Sequence, residues 1–277
     1  MNRKLLRSVR EYKRESILTP LLVVMEVFME VLIPLLMANI IDIGIMNGDM
    51  GYIVKTGLLL ILLAMVALVF GAKAGNLGAI ASAGYAKNLR HDIFYKIQDF
   101  SFGNIDHFST SGLVTRLTTD ITNVQMAYMF TIRLLVRAPI MIVLSLIMTL
   151  TINVKVAVMM LITIPILGGT LIFIAKKAHP HFIKVFDEYD ILNNTVQENV
   201  NAARVVKAYV RADHENEKFG KISTIVYNLF TKAEKIVAWN NPVMMFTMYV
   251  VVLVMVYIGG EDIVFGRMQT GELTSVI

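Results

Sequence analysis

The sequence predicts an all-α protein that crosses a membrane several times, and three features support this. Of the 277 residues, 56% are hydrophobic and 17% charged, whereas soluble domains are about 45–50% apolar and about 25% charged. Mean hydropathy is +0.63. Five apolar runs are long enough to cross a bilayer, and the links between them alternate between short and long. A soluble enzyme is therefore disfavoured, and the absence of cysteine excludes disulfides, thiolate metal sites and a cysteine nucleophile.

The five apolar runs are predicted transmembrane helices, because crossing the hydrocarbon core takes about 20 residues. They cover residues 17–41, 53–83, 134–152, 154–175 and 236–259, and a sixth begins at Leu273. The first run is too long for a cleaved signal peptide, has no small-residue cleavage site and is followed by further spans. Since the sixth run has barely begun at Ile277, we expect a chain that is cut short.

The links between the spans predict the topology. They are short at 46–52, at Asn153 and at 260–271, and long at 84–133 and 176–235. Of the 26 basic residues, six precede the first span, six lie in or beside the first long link and ten lie in the second. The positive-inside rule therefore predicts a multi-pass protein of the cell membrane with a cytoplasmic N-terminus and cytoplasmic long links. The net charge of +5 follows from this topology, and no nucleic-acid partner is expected.

Each long link is predicted to form a helical hairpin. Apolar residues recur every three or four positions on both arms, as Leu89, Ile93 and Ile97 do on the first. Arms of about 20–25 residues, rising 1.5 Å per residue, extend roughly 30–37 Å from the membrane. Residues 1–15 mix apolar and basic side chains and predict an amphipathic helix along the inner leaflet, with its apolar side toward lipid.

Several stretches of the chain carry a family resemblance. They are IPLL at 33–36 leading to IIDIG at 40–44, STSGLVTRLTTD at 109–120, ARVVKAY at 203–209 and TGEL at 270–273. In this order and spacing, the chain resembles the transmembrane domain of an exporter-type ATP-binding cassette (ABC) transporter, in the bacterial multidrug, heterodimer-forming branch. The resemblance covers essentially the whole chain.

The resemblance implies the fold and the partners. An elbow helix at 1–15 would precede an exporter type-1 transmembrane domain at 16–277, with six long helices per half-transporter and spans four and five crossing to a second half. A heterodimer is favoured over a homodimer. The hairpin tips would be coupling helices that dock on nucleotide-binding domains and transmit ATP-driven motion. Further partners would be the lipid bilayer and a small lipophilic substrate, as in multidrug efflux.

The coupling helices can be carried over residue by residue from the resemblance. The first would comprise Phe108, Ser109, Thr110 and Ser111, and the second Tyr209, Val210, Arg211, Ala212, Asp213, His214 and Glu215. A short helix across the bottom of each hairpin fits both segments.

The phosphate-binding signature of an ATPase is not present in the sequence. The Gly220-Lys221 pair is followed by Ile222 and lacks the upstream glycine of a G-x-x-x-x-G-K-[ST] motif. We therefore expect no catalytic residue, metal or cofactor in this chain. ATP and Mg²⁺ are expected in nucleotide-binding domains that this sequence lacks, and the complete transporter would be an ATP-hydrolysing translocase.

Three charged residues within the spans are candidates for a substrate cavity. Glu26 and Glu30 lie one turn apart and share a helix face, and a carboxylate at a helix centre costs about 2.5–3.5 kcal/mol on insertion scales. They would either attract cationic drugs or carry protons, or hydrogen-bond a neighbouring helix. Lys73 would pair with one of them or face water in the cavity. Asp42, near the outer end of its span, is expected to cap a helix or form a turn.

Two other classes of protein remain open. A secondary transporter or channel would also use Glu26 and Glu30, but it would show broken half-helices or an inverted repeat, and we detect neither. A structural membrane anchor would tolerate the long hairpins without needing two matched docking tips.

Overall fold

The computed structural model describes residue 5, residues 7–101 and residues 110–277. This part of the chain is helical and contains no strand. A 3₁₀ helix covers Arg7–Tyr12 and is followed by nine α-helices. They are α1 (Lys13–Asn39), α2 (Met50–Gln98), α3 (Thr110–Thr115), α4 (Ile121–Ile152), α5 (Val154–Asn201), α6 (Ala203–Ala208), α7 (Ala212–Val237), α8 (Asn240–Val264) and α9 (Thr270–Val276). Two π-helical stretches, Ile40–Ile45 and Arg116–Asp120, follow α1 and α3.

The long helices confirm the predicted spans. Five helical stretches of the described chain are long and apolar enough to cross a membrane. Helix α2 has 49 residues and α5 has 48, which correspond to about 70–75 Å at 1.5 Å per residue. A bilayer core takes about 30 Å of that length, so these helices continue well beyond one face of the membrane.

The described chain divides into two compact units. Unit 1 comprises residues 1–157 and 258–277, and unit 2 comprises residues 158–257. In unit 1, α1 packs against α2 and α4, and Val23, Val27 and Ala74 form a fully buried core between the helices. A second core surrounds Tyr85 and Tyr128, whose rings stack with centroids 4.5 Å apart.

The segment before the first span differs from the predicted interfacial helix. It is a 3₁₀ helix with a kink at Arg10, where φ is 40°. Val9 is 6% exposed and packs into the core around Tyr85 instead of facing lipid. Asp92 of α2 accepts hydrogen bonds from Ser8 and Arg10. Protein contacts therefore hold this segment against α2 and its neighbours.

Unit 2 contains the second predicted hairpin. Helix α5 forms the descending arm and α7 the ascending one, with Val185, Val226 and Ala233 buried. Phe182 and Phe230 meet edge to face, with ring centroids 6.3 Å apart. This contact between the two rings joins the two arms of the hairpin.

Candidate functional site

One guanidinium binds both candidate carboxylates. Arg137 of α4 donates from Nη1 to Glu26 Oε1 at 2.8 Å and from Nη2 to Glu30 Oε2 at 2.7 Å. The two glutamates lie at i and i+4 on α1 and so face α4 together. Their side chains are 12% and 31% exposed, and that of Arg137 is 35% exposed. The structure thus shows a triad that joins two spans of unit 1.

Arg137 lies inside the third predicted span, residues 134–152, although it is counted with the basic residues in or beside the first long link. The structure shows its partners, because Arg137 contacts Glu26 and Glu30, which lie well inside the first span. The apolar residues that precede Arg133 extend the third span toward the cytoplasmic hairpin. The sequence did contain a signal for this position, because Arg137 has apolar residues on both sides.

Glycine allows helix α2 to approach the triad. A Cβ on Gly71 would lie only 2.8 Å from Glu26 Oε1, whereas one on Gly75 would lie 3.6 Å from Arg133 Nη1. Small residues spaced by four let transmembrane helices pack closely. A cavity of about 610 Å³, which we call the carboxylate cavity, lies here between α1, α2 and α4. It is lined among others by Glu26, Glu30, Gly71, Gly75, Asn76 and Arg133.

Lys73 does not take part in the triad. It lies two residues from both Gly71 and Gly75, about 200° around α2 from each. Its side chain is exposed and does not line the carboxylate cavity. Arg137 therefore makes the ion pairs that the sequence offered to Lys73, and the structure places only two of the three candidate residues together.

A second cavity lies beside the first on α4. It has a volume of about 520 Å³ and is lined by Met126, Met129, Phe130, Arg133, Leu134 and Arg137. We call it the methionine cavity. Its walls are apolar apart from the two guanidinium groups, and Arg133 borders both cavities.

At the opposite end of the first span, Asp42 caps a helix distant in sequence. Its Oδ1 accepts from the backbone N–H of Gly271 at 2.6 Å and its Oδ2 from that of Glu272 at 3.1 Å. These amides belong to the first turn of α9, where a negative charge is favourable. A Cβ on Gly271 would collide with the carbonyl oxygen of Ala38 and lie 2.5 Å from Asp42 Oδ2. The pattern predicted a cap but not its partner.

A second polar tie joins two short links of unit 1. Asp262, which follows the predicted span 236–259, has a side chain only 3% exposed. It accepts hydrogen bonds from Lys155 Nζ at 2.8 Å and from Asn153 Nδ2 at 2.7 Å. These bonds hold the pKa of the Asp262 carboxyl below its ordinary value. Sequence analysis missed this contact, because Asp262 lies more than 100 residues from both Asn153 and Lys155.

The first predicted coupling helix falls only partly within the described chain. Phe108 and Ser109 lie outside the described residues, whereas Thr110 and Ser111 begin helix α3. From α3 the chain continues helically through Arg116–Asp120 into α4.

The second predicted coupling segment has a different local structure. The short helix is α6, Ala203–Ala208, and it ends where the predicted one begins. Tyr209 and Val210 form a turn, and residues 212–215 are the first turn of α7. Val210 adopts φ of 50°, which is unfavourable for a β-branched residue. Tyr209 and Val210 are 75% and 85% exposed, so an apolar tip is available for contact.

Comparisons with known proteins agree with this architecture. The sequence profile of the ABC transporter transmembrane region matches residues 16–277. The chain is 32% identical over 274 residues to the uncharacterized ABC transporter ATP-binding protein YfiB of Bacillus subtilis, covering 99% of this chain and 48% of that protein. It is 27% identical over 269 residues to the uncharacterized ABC transporter ATP-binding protein Rv1273c of Mycobacterium tuberculosis, covering 97% and 46%.

A third relative carries a more specific name. The multidrug resistance-like ATP-binding protein MdlA of Buchnera aphidicola is 28% identical over 272 residues, covering 97% of this chain and 47% of that protein. The chain thus spans about half the length of the curated relatives it matches.

Proposed function

The chain belongs to the ABC transporter transmembrane region family, and from this premise we propose that it forms the substrate-translocating part of an ATP-driven exporter of lipophilic compounds. It works with ATP-binding domains, in keeping with the names of its relatives. ATP and Mg²⁺ bind in those domains. The multidrug resistance-like relative supports efflux of varied apolar molecules.

The length of the helices carries this proposal. Helices α2 and α5 continue far beyond the thickness of a bilayer without a break, and a continuous helix transmits displacement along its axis. The exposed pair Tyr209 and Val210 stands at the end of the second hairpin. An apolar tip on a stiff arm suits docking into a groove of an ATP-binding domain, and we assign the coupling role to residues 203–215 and to the first tip around 108–111.

The same topology supports the location and the assembly. The excess of basic residues in the N-terminal segment and the two hairpins supports a cytoplasmic position for these segments at the cell membrane. In the most apolar window of each of the five membrane-length helices, only 6–22% of residues are buried. The remaining faces are available to lipid and to a second half-transporter, and a heterodimer remains the favoured assembly.

Proton-coupled secondary transport finds less support in this geometry. A carboxylate that carries protons must exchange them with water, whereas Glu26 and Glu30 are both engaged by Arg137. The triad therefore supports a structural connection between α1 and α4 better than a proton pathway.

The decisive experiment uses the full-length protein with its partner half, reconstituted in proteoliposomes. A lipophilic dye is added to the external solution. We expect dye movement with Mg²⁺-ATP, none with ADP, and undiminished rates when ionophores collapse the ion gradients. Movement that persists without ATP and stops with the ionophores would instead indicate secondary transport and contradict the proposal.

A further inference from the structure

Arg133 is a basic residue of α4 that borders both cavities. Among the described residues it forms no ion pair, in contrast to Arg137 one turn further along α4. Charged side chains within spans are costly and are usually paired or exposed to a polar pathway. The missing partner of Arg133 therefore calls for an anion from outside the described chain.

The depth of Arg133 follows from its neighbour on α2. Its Nη1 would lie 3.6 Å from a Cβ on Gly75, and Gly75 is eight residues inside the predicted cytoplasmic end of the second span, about 12 Å at 1.5 Å per residue. Gly75 presents no side chain, so the guanidinium lies close against α2 at this point. The charge thus lies at the level of the predicted second span.

The surroundings of Arg133 define what can bind there. Toward the hairpin, Met126, Met129, Phe130 and Leu134 offer an apolar wall, and Met126, Phe130 and Leu134 are 51–60% exposed. Methionine side chains adapt to ligands of varied shape. A ligand seated here would have an apolar body beside a cationic end.

Among the described residues, the nearby carboxylates form their ion pairs with Arg137 and none with Arg133. Glu26 and Glu30 direct oxygens to Arg137, and the remaining Glu26 Oε2 is buried, out of reach of a ligand. The methionine cavity contains two guanidinium groups and no acidic residue in its lining. Because Arg137 is already paired with both glutamates, Arg133 is the guanidinium of this lining that can take the anionic group of a ligand.

We propose that Arg133 binds the anionic group of an amphipathic organic anion, such as a long-chain carboxylate, whose apolar body lies along Met126, Met129, Phe130 and Leu134. This names the substrate class of the exporter and rests on the proposed function. Binding at Arg133 requires no ATP, however, so it can be measured separately from transport.

The test is ATP-free binding to the full-length transporter in phosphatidylcholine nanodiscs. The probe is dansyl-undecanoate, with its methyl ester as the neutral match, and the signal of empty nanodiscs is subtracted. We expect Arg133→Gln to weaken binding of the acid at least about tenfold, equivalent to about 1.4 kcal/mol, with the ester changed by less than about twofold. Arg133→Lys retains the charge and should keep most of the affinity for the acid.

Lys73→Gln is the matched control, because it removes an unpaired intramembrane charge from a face of α2 that lines neither cavity. It should leave the affinity for the acid unchanged. Equal losses in Arg133→Gln and Lys73→Gln, or equal losses of acid and ester, would overturn the proposal. If Arg133→Gln does not fold, the wild type still decides, since binding the ester as tightly as the acid would exclude an anion site.

Anionic lipid is the remaining source of such a group. Nanodiscs containing phosphatidylglycerol distinguish it from a transported substrate. We expect the acid to remain bound there, whereas its complete displacement would assign the site to a bilayer lipid and overturn the substrate class. If the wild type binds the acid but shows no ATP-driven dye transport, the proposed exporter function is contradicted and the binding result still holds.

Discussion

Removing Arg137 should destabilise the transporter because it leaves two carboxylates without a counter-charge inside the membrane. The perturbation is Arg137→Met, which keeps an apolar stem and deletes the guanidinium that lies 2.7–2.8 Å from Glu26 and Glu30. Breaking a buried ion pair by removing one partner costs about 3–5 kcal/mol. Glu30 is 31% exposed, so we expect the lower end, about 3 kcal/mol.

The assay is the free energy of unfolding of the full-length protein in mixed micelles with increasing dodecyl sulfate. The matched variant is Glu26→Leu/Glu30→Leu/Arg137→Met, since replacing a whole buried ion cluster by apolar side chains is often neutral or stabilising. It should unfold within about 1 kcal/mol of the wild type. If the triple variant is as unstable as Arg137→Met, the loss comes from packing of the arginine stem and not from charge. If Arg137→Met has wild-type stability, the triad does not hold α1 to α4.

Three further predictions concern residues outside the triad. Gly271→Ala should lower the free energy of unfolding by about 1–3 kcal/mol through overpacking against Ala38 and Asp42; Gly260→Ala, whose Cβ would meet nothing within 4 Å, should not, and equal effects would refute the steric argument. The lowered pKa of Asp262 means that its stabilising effect is complete above its ordinary value of 3.8 and is lost as the pH falls through the lowered pKa. In thermal melts, the advantage of the wild type over Asp262→Asn should therefore shrink in acid, and a constant advantage would contradict this. Val210→Gly should raise thermal stability by about 1 kcal/mol, because the residue has a positive φ, yet reduce substrate-stimulated ATPase activity; a rise in both would show that the tip does not dock.

The spans and hairpins could be predicted from sequence because membrane thickness imposes a length that composition reveals directly. Four of the five predicted spans are helical throughout, and the fifth, 236–259, begins at the end of α7 and continues along α8. The partner of Glu26 and Glu30 could not be found in the same way. Transmembrane helices are apolar on all sides, so periodicity does not show which face packs inward, and Arg137 is more than 100 residues away.

The second hairpin tip shows a different limit. Neither glycine nor proline marks the turn. The residue that adopts a positive φ is Val210, although β-branched residues are among the least suited to that conformation. The short helix was consequently expected over 209–215, whereas α6 covers Ala203–Ala208. Here the tertiary structure of unit 2 overrides local preference, with Asn199 of α5 donating to Glu215 of α7 at 2.9 Å.

Asp42, Asp262 and the Glu26–Glu30 pair of unit 1 each meet a complementary group from another part of the unit. Asp42 meets the amides of α9, Asp262 meets Lys155, and the glutamates meet Arg137. Arg133 and Lys73 depart from this pattern in the described chain, but for different reasons. Lys73 faces away from both cavities, where lipid or another subunit can meet it, whereas Arg133 borders both. A charge whose only role was structural would gain from a partner at that position. Its absence beside two adjoining cavities is the physical reason to expect that the counter-charge of Arg133 arrives with the ligand.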